Sequence, residues 1–295
     1  MGAVSSPDLA VAVADAGGVG TVSALGVPAD AFLRRVDDMR RRTGGVLSVN
    51  VLLEDTDEDV VVAAAERVRV VDFFWFEPSP RLVELVHRAG ALAGWQIGSV
   101  EEARAAADAG CDLVTAQGRE AGGHVRGNRP LLPLLREVLD AVPIPVLAAG
   151  GIADAGAVAA VLAAGADGVR IGTRFVAATE SAAHSGYQQA LVEATGDCTV
   201  ISDAFARNCP LCASRPRHRV LRSAVDRVSA LDRDVVGTLT AGGRRTPIPR
   251  GAGLPPVTAV DGDVAAMALY AGVGVGAVTA VRPAADLIGE LMSPA

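Results

Sequence analysis

Pro145-Val-Leu-Ala-Ala-Gly-Gly-Ile-Ala-Asp154, followed after an Ala-rich stretch by Gly168-Val-Arg-Ile-Gly-Thr-Arg-Phe175, holds one complete strand–turn–helix unit and the opening of the next. Each apolar run is short, built of small or β-branched residues, and broken at once by glycine. Asp154 then stands where a helix N-cap is expected, ahead of a helical stretch from Asp154 to Ala164. A buried strand, a tight glycine turn and a capped helix in that order make a parallel βα unit.

Working outward, the same grammar repeats upstream. Strand-like runs occur at Gly20–Val22, Leu47–Leu52, Val71–Trp75, Ala93–Ile97 and Leu113–Ala116. Between them lie helical spacings at Pro28–Arg42, Asp57–Arg67, Pro80–Ala89, Val100–Ala109 and Leu131–Ala141. The repeat is roughly 22 to 30 residues per unit, which favours a closed (β/α)8 TIM-type barrel over an open doubly wound sheet. The polar and glycine-rich positions Asn50, Gln96, Gln117–Gly127, Gly150-Gly151 and Gly172-Thr173 all follow strand ends. In a barrel those ends form one rim, where active sites are built.

Seven strands are countable, not eight. Ser5-Ser6-Pro7-Asp8 reads as the cap and first turn of a helix, so the missing first strand is expected upstream of Met1. The expected organisation is a barrel over 1–195, an irregular excursion covering the rim over 196–261, and helices over 262–295 (Asp263–Ala271 and Ala284–Leu291) packing back on the barrel. The longest uncharged run, Val264–Val281, contains three glycines and is expected to pack inside the protein instead of spanning a bilayer.

Composition narrows the function. The net charge is −7, against nucleic acid as a partner, since binding it needs a basic stripe to displace counterions. All 27 basic residues are arginine; with no lysine, a Schiff-base aldolase and a Walker-type loop are both excluded. Hydrophobic residues make up 50% and aromatics only 3%, so the core is aliphatic, as suits parallel strands buried on both faces. With no signal peptide or membrane span read, a cytoplasmic location is expected. Cys209-Pro-Leu-Cys212 is a lone C-x-x-C with only His218 near it in sequence, so reduced structural thiols and no metal are expected.

Two features carry chemistry. In Ala116-Gln-Gly-Arg-Glu-Ala-Gly-Gly-His-Val-Arg-Gly127, His124 sits in a glycine-rich loop at a strand's C-terminal end, where an imidazole can serve as acid, base or electrostatic partner. His87, His184 and His218 are read as structural. The turns Gly150-Gly151 and Gly172-Thr173 close the last two strands, a pair that binds phosphate through backbone N–H groups in many barrels. Residues alone do not separate a flavin from a sugar phosphate.

Gln117-Gly-Arg-Glu-Ala-Gly-Gly-His124, Ala148-Ala-Gly-Gly-Ile-Ala-Asp154 and Gly172-Thr-Arg-Phe175 with Glu180-Ser181 resemble the nitronate monooxygenase family, once called 2-nitropropane dioxygenases. The same elements occur in the related FMN-dependent enoyl-acyl-carrier-protein reductases. The resemblance implies FMN on the rim, with Asn50, Gln117 and Gly122 at the flavin. Gly150, Gly151, Arg170, Ile171, Gly172 and Thr173 fall on its phosphate side, and His124 beside the reactive edge as proton acceptor or as a cation holding the substrate. The implied reaction takes an alkyl nitronate and O2 to a carbonyl compound and nitrite. The expected partners are these small molecules, with a homodimer allowed. The alternatives are an NAD(P)H-dependent FMN reductase acting on an enoyl thioester or a quinone, and a non-catalytic flavin-binding or defunct paralogue. Two departures bear on substrate: Glu77 stands where relatives more often carry Gly and could repel an anion, and Ala271-Gly-Val-Gly274 lacks a typical Gln.

Overall fold

The computed structural model describes residues 2–52, 56–209, 211–212 and 217–293. Met1 and Pro210, on which two of the readings above fall, lie outside them. Among the described residues the strands are, in chain order, β1 (Val19–Ser23), β2 (Val46–Val51), β3 (Val70–Phe73), β4 (Leu92–Ile97), β5 (Leu113–Gln117), β6 (Gly123–His124), β7 (Val146–Ala149), β8 (Gly168–Arg170), β9 (Thr199–Ser202), β10 (His218–Leu221), β11 (Val235–Ala241), β12 (Arg244–Pro249) and β13 (Val260–Gly262). The helices are α1 (Pro7–Asp15), α2 (Ala29–Arg42), α3 (Glu58–Ala65), α4 (Pro80–Arg88), α5 (Val100–Asp108), α6 (Leu131–Ala141), α7 (Ala155–Ala163), α8 (Thr173–Val176), α9 (Ser185–Val192), α10 (Arg222–Ser229) and α11 (Ala284–Leu291).

Seven strands form one parallel sheet in the order β1-β2-β3-β4-β5-β7-β8. This is the TIM-type arrangement expected, with the seven strands counted from sequence, and it is open between β1 and β8. The segment Gly2–Ser6 crosses that opening: Ser5 Oγ donates to the Thr21 carbonyl on β1, and Ala182 N–H donates to the Val4 carbonyl beyond β8 (3.1 Å). The helices begin where side-chain oxygens can take up orphan amides. Ser6, Ser79, Ser99 and Asp154 accept from the N–H of Leu9, Leu82, Glu102 and Ala157. At α5 Glu102 also reaches back past the cap, its Oε2 accepting from Gly98 N–H (2.7 Å).

Aliphatic side chains fill the space between sheet and helices, from Val49, Val71, Ala93, Val114 and Ala148 on the strands to Val36, Val61, Val86, Leu135 and Val158 on the helices. The few aromatic residues cluster: Phe73 stacks on Trp95 (4.7 Å between centroids), and Phe76 meets the same indole edge-on (5.1 Å). A second core carries Tyr187, Phe205, Leu221, Met267 and Val275.

Beyond α9 the chain is more ordered than its composition suggested. The chain from β9 to β13 forms two three-stranded antiparallel sheets, β6-β10-β9, which borrows β6 from the loop after β5, and β12-β11-β13. Alternation was hard to see because β11 and β12 are largely solvent-exposed and β9 and β10 are only four residues long. The helix expected over Asp263–Ala271 is instead a single 3-10 turn, Val264–Ala266. Ala268 is buried and Tyr270 bridges to Val220, so tertiary pairing overrides an apolar run with helical composition. The uncharged stretch does pack inside, with Ala266, Met267, Leu269, Val275 and Val278 buried. Among the described residues no helix is long and apolar enough to cross a membrane.

Candidate functional site

Three turns converge at the C-terminal ends of β7 and β8. Gly150 and Gly151 adopt φ of 108° and 74°, a conformation that favours glycine. A Cβ on Gly274 would lie 2.5 Å from the Gly151 carbonyl oxygen, so this close approach of two backbones needs glycine. Thr173 Oγ1 accepts from Gly272 N–H (3.0 Å) and ties the third turn to the other two. The backbone N–H groups of Gly151, Gly172, Thr173 and Gly274 donate no hydrogen bond among the described residues. The result is a set of unused donors on three neighbouring turns, donors of the kind that can bind a phosphate without a lysine. Gly122 belongs to the same wall, since a Cβ there would meet Gly272 N at 2.5 Å. Ile171 packs against the barrel core.

Inside the rim lies a polar layer. Asp72, buried on β3, accepts from Asn50 Nδ2 (2.8 Å) on the neighbouring strand. From the far side of the sheet Arg170 reaches it, with Nη1 2.6 Å from Asp72 Oδ2 and 3.3 Å from Gln96 Oε1. Asn50 and Arg170 are thus held by one carboxylate, which the sequence reading passed over because an acid inside a strand looks like any other polar residue. The register that pairs Asn50 with Asp72 is what brings them together.

The His124 loop is clamped at both ends by Gln117. Its Nε2 donates to the His124 carbonyl (3.0 Å), and its Oε1 accepts from Arg126 N–H (2.9 Å). Both ends of the Gln117 amide are therefore engaged by the chain itself. Arg126 is buried and binds Glu102, the Trp75 carbonyl and Glu77. Its 2.9 Å contact offsets the Glu77 carboxylate that sequence reading placed on the rim as a source of repulsion. Trp75 has φ of 88°, rare for a bulky residue and a mark of a backbone held by its surroundings.

The His124 ring points to groups the sequence left apart. Its Nε2 lies 3.1 Å from Cys209 Sγ, 3.5 Å from Cys212 Sγ and 3.1 Å from His218 Nε2. His218 Nε2 is also 3.1 Å from Cys212 Sγ. His124 and His218 are direct partners across β6 and β10, so their side chains share one face. The two cysteine sulfurs are in disulfide-forming contact. Burial pushes His124 down to about 3, with His218 adding to the effect, and burial likewise lowers His218. The sequence reading placed only His218 near the C-x-x-C pair; the structure brings His124 to it as well. The only sequence signal was the co-occurrence of C-x-x-C with two histidines, one of them 85 residues upstream of Cys209.

A family model described as nitronate monooxygenase matches residues 55–293. The chain belongs to the nitronate monooxygenase family. Among solved structures it is similar to a nitroalkane oxidase from Streptomyces ansochromogenes, at 32% identity and a TM-score of 0.75, covering 98% of this chain and 92% of that one. It is also similar to FabK from Thermotoga maritima, at 27% identity and a TM-score of 0.78, covering 99% and 89%. A curated relative is the (3aS,4S,5R,7aS)-5-hydroxy-7a-methyl-1-oxo-octahydro-1H-indene-4-carboxyl-CoA dehydrogenase of Mycobacterium tuberculosis. It is 34% identical over 207 residues, covering 68% of this chain and 58% of the relative. The chain spans about half the length of the curated relatives it matches.

Proposed function

We propose that this chain is an FMN-dependent oxidoreductase that takes alkyl nitronates and O2 to carbonyl compounds and nitrite. The observation that carries the flavin is the cradle of unused N–H donors from Gly151, Gly172, Thr173 and Gly274, next to the polar layer of Asn50, Asp72 and Arg170. A phosphate fits such a cradle, and those turns would hold it. FMN bound there would supply the electron-accepting ring, a chemistry no side chain of the protein can provide.

The chain's own residues orient and tune. Arg170 is partly exposed and anchored by Asp72, and Arg126 faces both Glu77 and Glu102, so the acids on this rim are paired. His124 is neutral near pH 7 because burial disfavours its cation, so it enters this reading neither as a cation holding the substrate nor as the base that deprotonates it. A group so hard to protonate suits a substrate that arrives already deprotonated, as a nitronate does. The likeness to a nitroalkane oxidase supports this choice.

A second reading draws on the equal likeness to FabK: a reductase that takes its electrons from NADH or NADPH. An absorption spectrum of the purified chain under anaerobic conditions tests both. Bleaching of a flavin band by an alkyl nitronate is the expected result. Bleaching by NADH or NADPH alone would replace it with the reductase, and a protein that cannot be loaded with FMN would refute the flavin.

A further inference from the structure

We infer that His124, Cys209, Cys212 and His218 form a closed Cys2His2 site for one Zn2+, tying the rim of the barrel to the antiparallel sheet β6-β10-β9. All four ligand atoms lie within 4.8 Å of one another. Zinc bonds of about 2.3 Å to sulfur and about 2.05 Å to nitrogen give a tetrahedron whose edges are about 3.3 Å between nitrogens and about 3.6 Å between nitrogen and sulfur. The two Nε2 atoms stand 3.1 Å apart, and the nitrogen–sulfur separations are 3.1, 3.1 and 3.5 Å. These separations lie within about 0.5 Å of the tetrahedral edges, and the two sulfurs, in disulfide contact here, must part to about 3.8 Å on reduction for one ion to bind all four. The cysteines have the two-residue spacing of structural zinc sites and a Cα–Cα distance of 5.3 Å. Two soft thiolates with two imidazoles select Zn2+ over hard cations such as Mg2+ or Ca2+.

The ligands are positioned before any metal arrives. His124 and His218 are fixed by strand pairing, and Gln117 holds the His124 carbonyl. The Trp75 indole N–H donates to the Leu211 carbonyl, and Leu211 packs on Phe74 and Trp75, which seats the cysteine turn on the end of β3. Trp75 and Tyr270 wall the histidines, with ring centroids 5.2 Å from His124 and 5.6 Å from His218. His218 is fully buried, and its Nδ1 makes no hydrogen bond that meets the distance and angle limits among the described residues. Four protein ligands in such a shell leave no open position for water or substrate, so the metal is structural. It joins the loop after β5, the turn at Cys209–Cys212 and the start of β10. Coordination uses the Nε2 lone pair of His124, so the zinc-loaded chain does not use His124 as a proton acceptor.

This site stands independently of the flavin reading, and the two fail separately, because zinc is read by elemental analysis and flavin by absorbance. The full chain, purified under reductant without chelator, is expected to carry about one zinc. X-ray absorption at the zinc edge is expected to show two sulfur neighbours at about 2.3 Å and two nitrogen neighbours at about 2.0–2.1 Å. Cys212→Ser and His218→Ala are expected to lower the bound zinc about tenfold or more, while Cys198→Ser leaves it unchanged. Should either ligand variant fail to fold, the metal-stripped native chain titrated with Co2+ under reductant reads the same site. Visible and sulfur-to-metal bands saturating at about one equivalent support it. A folded, reduced chain with under about a tenth of an equivalent of zinc overturns the assignment. So does sulfur-free coordination, or zinc that survives a Cys209→Ser/Cys212→Ser double substitution.

Discussion

Replacing Asp72 with Ala should destabilise the protein more than most single changes on the barrel rim. Its carboxylate is only 4% exposed and compensates Arg170, which is 27% exposed, at 2.6 Å. Removing one partner of a buried pair costs about 3–5 kcal/mol because the other charge is stranded. Arg170 retains some contact with solvent, which brings the expectation down to about 2–3 kcal/mol. The lost bond from Asn50 falls within that range. Unfolding entropy of about 2.1 cal/mol/K per residue over 295 residues gives about 0.6 kcal/mol per degree, hence a fall in Tm of about 3–5 °C. Differential scanning calorimetry of Asp72→Ala, Arg170→Met and the double variant measures it. Combining the two should recover more than half of the loss, since no charge is then stranded. A Tm within about 1 °C of the native value for Asp72→Ala, or a double variant as unstable as the sum of the singles, would refute the buried-pair argument.

Two further outcomes follow from the geometry. Gly274→Ala places a methyl 2.5 Å from the Gly151 carbonyl oxygen and 2.8 Å from Ala153 Cβ, so the cradle must open; FMN titrated by fluorescence should bind at least about tenfold more weakly, and an unchanged Kd removes these turns from the phosphate site. Burial pushes the Cys111 thiol from its ordinary 9.0 up to about 12. The folded chain then keeps a proton that the unfolded chain loses, so this group's contribution holds below pH 9 and stability declines as pH rises from 9 towards 12. Urea midpoints for the native chain and Cys111→Ala across that range should converge at high pH, and parallel curves would contradict the assigned cause.

Much of the architecture was legible because it rests on local rules. Strand runs ending at glycine and helices opening on Ser6, Ser79, Ser99 and Asp154 need only burial period and capping to be read, and the seven strands lie within about two residues of their expected places. The same rules misjudged Asp263–Ala271, where an apolar run of good helix formers is held extended by its bridge to Val220. They also missed β9 to β13, whose pairing partners are distant and whose exposed faces carry little period. The turns of the cradle were visible as glycines, but not the fact that Gly274 closes on Gly151 from the far end of the chain.

What the sequence by itself determined was the parallel α/β sheet, its strand order, the glycine turns after β7 and β8, and the family motif around His124. Each depends on neighbours within one βα unit, where spacing stands in for geometry. Only the tertiary structure decided what His124 faces. Cross-strand pairing with His218 and the seating of Leu211 on Trp75 bring Cys209 and Cys212 to its ring from more than eighty residues away. Such contacts are set by long-range strand register and side-chain packing, and neither leaves a periodic trace in the chain.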